Sequence, residues 1–226
     1  MTDVSDHTEW ITGHLHAFGR DVGSFIPPVF SRYARVLHPA YRNRSGREPL
    51  LVPWREVARA SGHEIRSEMK RLDESCKPSQ YSSSGELLWD RPPQFGGLPC
   101  AEARILAPIL ARHTRTAEAS WFAIWDGFTS PGDSECVGEL ALAGSRNMRL
   151  FRGPLERRLT ECRPENPAYR APNLIWPDDR AWCVATEVDY RWTYVGGSGP
   201  CIAEILAERR LETLPTTPSE GNLMDV

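Results

Sequence analysis

The chain has 226 residues, 40% of them hydrophobic and 25% charged, with a net charge of −3. This is ordinary globular composition, long enough to bury a core without a disulfide or a metal, and it gives no global pull toward nucleic acid. No stretch approaches 18 apolar residues, so no membrane-spanning helix is expected, and MTDVSDHTEW lacks the basic-then-apolar pattern of a secretory signal.

The six cysteines (76, 100, 136, 162, 183 and 201) are scattered, with no CxxC pair and no zinc-finger spacing. Cys183 and Cys201 lie in apolar runs and read as buried thiols, so the expected location is a reducing cytoplasm.

In chain order, Asp6 and Glu9 form a capping box for a first helix carrying Ile11, Leu15 and Phe18, with Gly19 as its stop. A second helix is predicted from Pro28, with Phe30, Tyr33, Ala34 and Leu37 as its stripe. A third starts near Pro53 and carries Trp54, Val57 and Ala58 to Gly62; a fourth covers His63 to Leu72. Residues 76–97, dominated by Pro, Ser and Gly, read as a long loop or inter-lobe linker inside one domain, 1–226. Leu98 to His113 returns to helix, with Ile105, Leu106, Ile109 and Leu110 as its apolar face.

After that helix the apolar period changes from 3.6 to 2. Ser120 to Asp126 reads as a strand, Glu139–Ala143 and Met148–Arg152 as a hairpin, and Ala181–Val188 with Trp192–Val195 as a second strand pair. Pro200 to Arg209 is a last helix and Leu211 to Thr216 a short last strand. The order predicts an α+β fold: a helical first half packed on a mostly antiparallel sheet of four to six strands formed by the second half. Trp121, Trp125, Trp182 and Val184 are its expected shared core.

The densest chemistry lies in Asn173 to Ser198, which holds three Trp, two Tyr, four carboxylates and two Arg. Strand alternation puts Glu187 and Asp189 on one side, about 7 Å apart. Asp178 and Asp179 precede the strand, where a turn would fold them back. As an enzyme, the chain would use Asp178, Asp179, Glu187 and Asp189 for acid/base or divalent-cation chemistry, with Arg180 as an anion clamp. The bland alternative is that the Asp pair makes a turn and Glu187 pairs with Arg180 or Arg191.

As a binding protein it would instead present Trp125, Asp126, Trp176, Trp182, Tyr190 and Trp192 as a flat aromatic-and-acidic face, since Trp and Tyr anchor interfaces. Three Trp on so short a strand pair are not all expected to be buried. A third reading is a DNA-binding helix-turn-helix over 52–72, with Arg66, Lys70 and Arg71 on the second helix. The net charge of −3 and the acidic second half oppose it. His14 and His16 point about 200° apart on a helix and share no metal. Gly196 to Gly199 precedes a helix and reads as a turn and N-cap. No nucleophile elbow, P-loop, zincin or dinucleotide fingerprint occurs, and no cofactor is named by the sequence.

Three blocks resemble a bacterial family of uncharacterised proteins of similar length: VGSFIPPVFSRYARVLHP (22–39), WFAIWDG (121–127) and WPDDRAWCVATEVDYRWTYVGGS (176–198). More distantly, the Pro-initiated helix after a short apolar lead (Phe25 to Leu37) and the helix-then-sheet order are similar to the SUKH superfamily, many of whose members are immunity proteins that neutralise toxins. Ile26-Pro27 stands where that superfamily has Leu-Pro. The resemblance implies a cytoplasmic binding protein of immunity type with a protein partner; a small-molecule ligand stays open beside it.

Overall fold

The computed structural model describes residues 4–60, 62, 80–82, 84–128, 135–143, 146–160 and 171–221. The fold is α+β. Its centre is an eight-stranded sheet in the order β10-β1-β9-β8-β7-β4-β6-β5, antiparallel at every pairing. The strands are β1 (Arg32–Leu37), β4 (Ser120–Trp125), β5 (Gly138–Leu142), β6 (Arg146–Gly153), β7 (Leu174–Pro177), β8 (Trp182–Ala185), β9 (Trp192–Gly197) and β10 (Glu212–Thr216). A separate hairpin pairs β2 (Ala40–Arg44) with β3 (Arg47–Val52).

Helices and strands are not divided between the halves of the chain. The helices are α1 (Ser5–Thr12), α2 (Trp54–Ala60), α3 (Cys100–Arg112), α4 (Leu155–Thr160) and α5 (Gly199–Ala207). One face of the sheet carries Ala34, Val36, Phe122, Ile124, Trp182, Val184 and Val195, packed with apolar residues of α3, α4 and α5. The other carries Tyr33, Leu37, Trp121, Ala123, Trp176, Trp192 and Tyr194, packed with α1, the turn around Phe25, β2–β3 and α2. The alternation expected for 121–125 is therefore seen, but it divides those residues between two apolar layers. Trp121, Trp182 and Val184 are buried as expected, and Trp125 is half-buried.

The largest departure is residues 28–37, predicted as a helix and observed in part as strand β1. The Pro-initiated helix, one of the two features of the similarity to SUKH proteins, is a turn and a strand here. The segment RYARVL lies between β9 and β10 with both faces covered, and every residue after Arg32 is buried. A strand buried on both sides loses the polar/apolar alternation that would reveal it, and the buried Arg35 further blurs the pattern. The Tyr33 hydroxyl accepts from the Phe30 amide and donates to the Pro27 carbonyl, which folds the Pro-Pro lead into a turn at the strand entrance.

Helix α1 is shorter than predicted. It ends at Thr12 and its N-cap is Val4, without a side-chain cap bond, so the Asp6/Glu9 box does not form. Leu15 and Phe18 fall in the turns that follow. Helix α2 forms where expected, and a strand residue caps it: the Glu212 carboxylate accepts from the Trp54 and Arg55 amides at 2.6 and 2.7 Å. The predicted helix at 63–72, with Arg66, Lys70 and Arg71, lies outside the described residues. Of the predicted loop, residues 84–97 are tied down by the Tyr41–Arg91 bridge, by Gln94 and by Gly96.

Cys183 and Cys201 are buried free thiols, and burial raises both, Cys201 to about 12. Cys100, by contrast, is disulfide-bonded, which a reducing compartment does not favour. Among the described residues, no helix is long and apolar enough to cross a membrane.

Candidate functional site

The predicted acidic quartet does not assemble. Asp178 and Asp179 occupy the β7–β8 turn, whereas Glu187 and Asp189 follow the other end of β8. The four residues of β8 alone span roughly 13 Å. Each half has its own partners. Asp178 accepts from Trp121 Nε1 at 2.5 Å and pairs with Arg152. Asp179 accepts from Thr114 Oγ1 at 2.7 Å and from the amides of Arg115 and Ala181. Burial would raise the Asp179 carboxyl, but these hydrogen bonds outweigh it and hold it below its ordinary value. Arg180 has left-handed backbone (φ 54°), donates to the Asp6 carbonyl and lies 5.8 Å over the Trp10 ring. It ties α1 to the β7–β8 turn. Among the described residues, no three His, Cys, Asp or Glu side chains are grouped to hold a metal ion.

The aromatic face is also absent. Trp176, Trp182, Tyr190 and Trp192 are all buried, Trp182 completely. β7, β8 and β9 sit in the middle of the sheet with both sides covered, so the three indoles are shared between two interiors. Trp176 stacks on Trp121 with centroids 6.3 Å apart, and Tyr190 stacks on Trp192 at 4.4 Å. Trp182 passes to the opposite layer, where its Nε1 donates to the Leu110 carbonyl at 2.9 Å. Asp126 is exposed and starts a short 3-10 turn.

Comparison with known proteins adds no relative. No family model, no curated protein and no solved structure matches this chain.

Glu187 does meet a cavity. The end of α1 (Thr12), the turns after it (Leu15, His16, Phe18) and the turn at Ser24-Phe25 form one wall. The end of β5 with Arg146 and Met148 forms another. Asn173, Leu174 and residues 185–188 close the base. The pocket is half-open, with a volume of about 150 Å³. Its interior is mainly apolar, and two hydrogen-bonded polar pairs stand at its wall.

The first pair is Arg146 with Glu187. Arg146 Nε donates to Glu187 Oε1 at 2.8 Å and Nη2 to Asp189 Oδ2 at 3.0 Å, while Glu187 Oε2 accepts from the Asp189 amide at 2.6 Å. Glu187 and Asp189 thus project to the same side, as alternation predicts, but their partner is a β6 residue and not Arg180 or Arg191. The guanidinium lies 5.8 Å from the Phe18 ring and 5.7 Å from the Trp125 ring, so two aromatic faces also hold it. The Glu187 side chain is 4% exposed and Arg146 21%. Glu187→Ala leaves a mostly buried guanidinium with only the exposed Asp189, so it should cost about 2–3 kcal/mol in urea unfolding. The Glu187→Ala/Arg146→Ala double variant should lose less than the two singles combined. Strict additivity would mean that the pair does not form.

The second pair was not foreseen. His16 Nδ1 lies 2.7 and 2.9 Å from the two oxygens of Asp21, which is buried. The His16 amide donates to the Gly23 carbonyl, and a Cβ on Gly23 would come within 2.5 Å of the ring, so glycine is needed for this approach. The pair's local signal in the sequence is His-x4-Asp closing on Val-Gly-Ser, a turn sequence. Asn173 supports the base of the cavity: its Oδ1 accepts from the Trp125 amide, and its Nδ2 donates to the Gly96 and Thr186 carbonyls.

Proposed function

We propose that this protein binds a small ligand in the cavity between the α1 turns and the end of the sheet. The observation that carries this reading is a half-open, mainly apolar pocket with two fixed polar pairs at its wall, Arg146–Glu187 and His16–Asp21. That is the usual composition of a ligand site: apolar lining for affinity and a few placed polar groups for orientation. A volume of about 150 Å³ suits a compact molecule of benzene-like size. Arg146, with Glu187 balancing its charge, suits a ligand carrying one carbonyl or similar acceptor.

The other readings have less support. The binding-protein reading drew on an exposed aromatic face, and its Trp176, Trp182, Tyr190 and Trp192 are buried. The acid/base quartet is divided between the two ends of β8.

Ligand-observed NMR with a set of compact aromatic and cyclic carbonyl fragments tests the proposal. Saturation transfer to a subset is the expected result. Ala143 lies exposed at the cavity wall, so Ala143→Trp should obstruct the space and abolish transfer without changing the melting midpoint. Transfer that survives Ala143→Trp unchanged would place binding elsewhere and sink the reading.

A further inference from the structure

We propose that His16, oriented by Asp21, is a general base acting on the ligand of this cavity, with Arg146 receiving the negative charge that develops; this rests on the ligand site above. A nitrogen held 2.7–2.9 Å from both oxygens of a carboxylate carries the proton, so Nδ1 is the donor. The tautomer is then fixed, and Nε2 carries the lone pair of the neutral ring. Nε2 is hydrogen-bonded to none of the described residues, and His16 lines the cavity with its side chain 31% exposed. The ring cannot easily rotate away, because Gly23 lies against it and the backbone of residue 16 is bonded to the carbonyl of residue 23.

Asp21 is a positioning residue. It is buried, and its own turn holds it: Ser24 Oγ accepts from the Asp21 amide and donates to the Ala17 carbonyl. A buried carboxylate against one ring nitrogen selects the tautomer and stabilises the imidazolium once the other nitrogen has taken a proton. Arg146 supplies the complement. Its Nε and Nη2 are used on Glu187 and Asp189, and Nη1 is bonded to none of the described residues.

A base and a cation in the wall of one apolar space are the two groups that proton abstraction next to a carbonyl requires. His16 Nε2 takes the proton from the carbon beside the carbonyl. The C–H electron pair forms the new C=C bond, and the carbonyl π pair moves onto the oxygen that faces Arg146. Return of the proton to the same carbon gives exchange, and in a β,γ-unsaturated substrate its return to the γ-carbon gives the conjugated isomer. Neither outcome needs an oxidant, a reductant or a second substrate. The substrate class is a compact, mostly apolar carbonyl compound with an acidic C–H.

The probe is 5-nitrobenzisoxazole, whose ring C–H is removed by a base as its N–O bond breaks to give a coloured cyanophenolate. The full chain should turn it over faster than free imidazole at equal concentration. His16→Gln should lower the rate about 100-fold, the usual scale for a placed general base. Asp21→Asn should lower kcat and leave KM unchanged, a split that loosening of the cavity would not produce. His14→Gln should keep the wild-type rate, since His14 is bonded to the Trp10 carbonyl and lies outside the cavity lining. Wild-type protein no faster than imidazole, or His16→Gln as fast as wild type, overturns the assignment. Saturation transfer to the same probe separates the two proposals: binding without turnover overturns only the base, and no binding overturns both.

Discussion

Trp182→Ala is expected to lower the unfolding free energy by about 3–5 kcal/mol, the range for removing a large buried aromatic. Trp182 is fully buried in β8, in the layer between the sheet and α3. It also bridges the two: its Nε1 donates to the carbonyl of Leu110, near the C-terminal end of α3, which also accepts from the His113 amide. The substitution removes an indole from a layer shared by Val184, Val195 and Leu106, and takes away one of that carbonyl's two donors. Trp182→Phe should recover most of the packing and lose the hydrogen bond, about 1 kcal/mol. Urea unfolding followed by circular dichroism measures both. A Trp182→Ala loss under 1 kcal/mol would mean that α3 is not seated on β8 as described.

The second large effect is in acid. His38 is fully buried at the end of β1: its ring is bonded to the Gln94 carbonyl at 2.7 Å and to Thr193 Oγ1 at 2.8 Å, which in turn meets Thr186 Oγ1 at 2.7 Å. Burial pushes its pKa down to about 4, only partly offset by the Gln94 bond. His38 therefore stabilises the fold above pH 6.5, and that contribution is lost as pH falls toward 4, about 3 kcal/mol in all.

Glu102, buried in the first turn of α3, runs the other way. Burial raises it to about 7, so its contribution is complete below pH 4.5 and is lost as pH rises through 7. Between pH 4.5 and 6.5 the two slopes oppose each other, and these two groups leave the wild-type protein nearly flat. His38→Gln uncovers the Glu102 slope and should gain about 2–3 kcal/mol on going from pH 6.5 to 4.5. Glu102→Gln should lose about as much over the same interval. Urea midpoints at the two pH values decide it; three parallel curves would show that neither group is held as buried as described.

Several elements were legible because their signals are local. The strand at 120–125, the hairpin of β5 and β6, and helices α2, α3 and α5 follow from apolar period, Pro and Gly. So does the common side of Glu187 and Asp189, since it needs only a period of two. The two-helix DNA motif is half visible: α2 forms, but it presents Trp54, Val57 and Ala58 to the core and takes its cap from β10.

What the sequence by itself determined was which residues alternate and where most turns fall. What only the tertiary structure decided was which partners those residues meet. RYARVL is a strand because Arg35 stands opposite both Tyr194 and Leu214, far along the chain. Glu187 meets Arg146 because β7 and β4 lie between β8 and β6 and set their separation. The His16–Asp21 turn is tied to the end of the chain: the Val22 amide donates to the Glu220 carbonyl and the Gly23 amide to the Pro218 carbonyl. Backbone hydrogen bonding and burial across a sheet are satisfied by strands that can be distant in sequence, and each strand's own residues carry no record of which neighbour they will find.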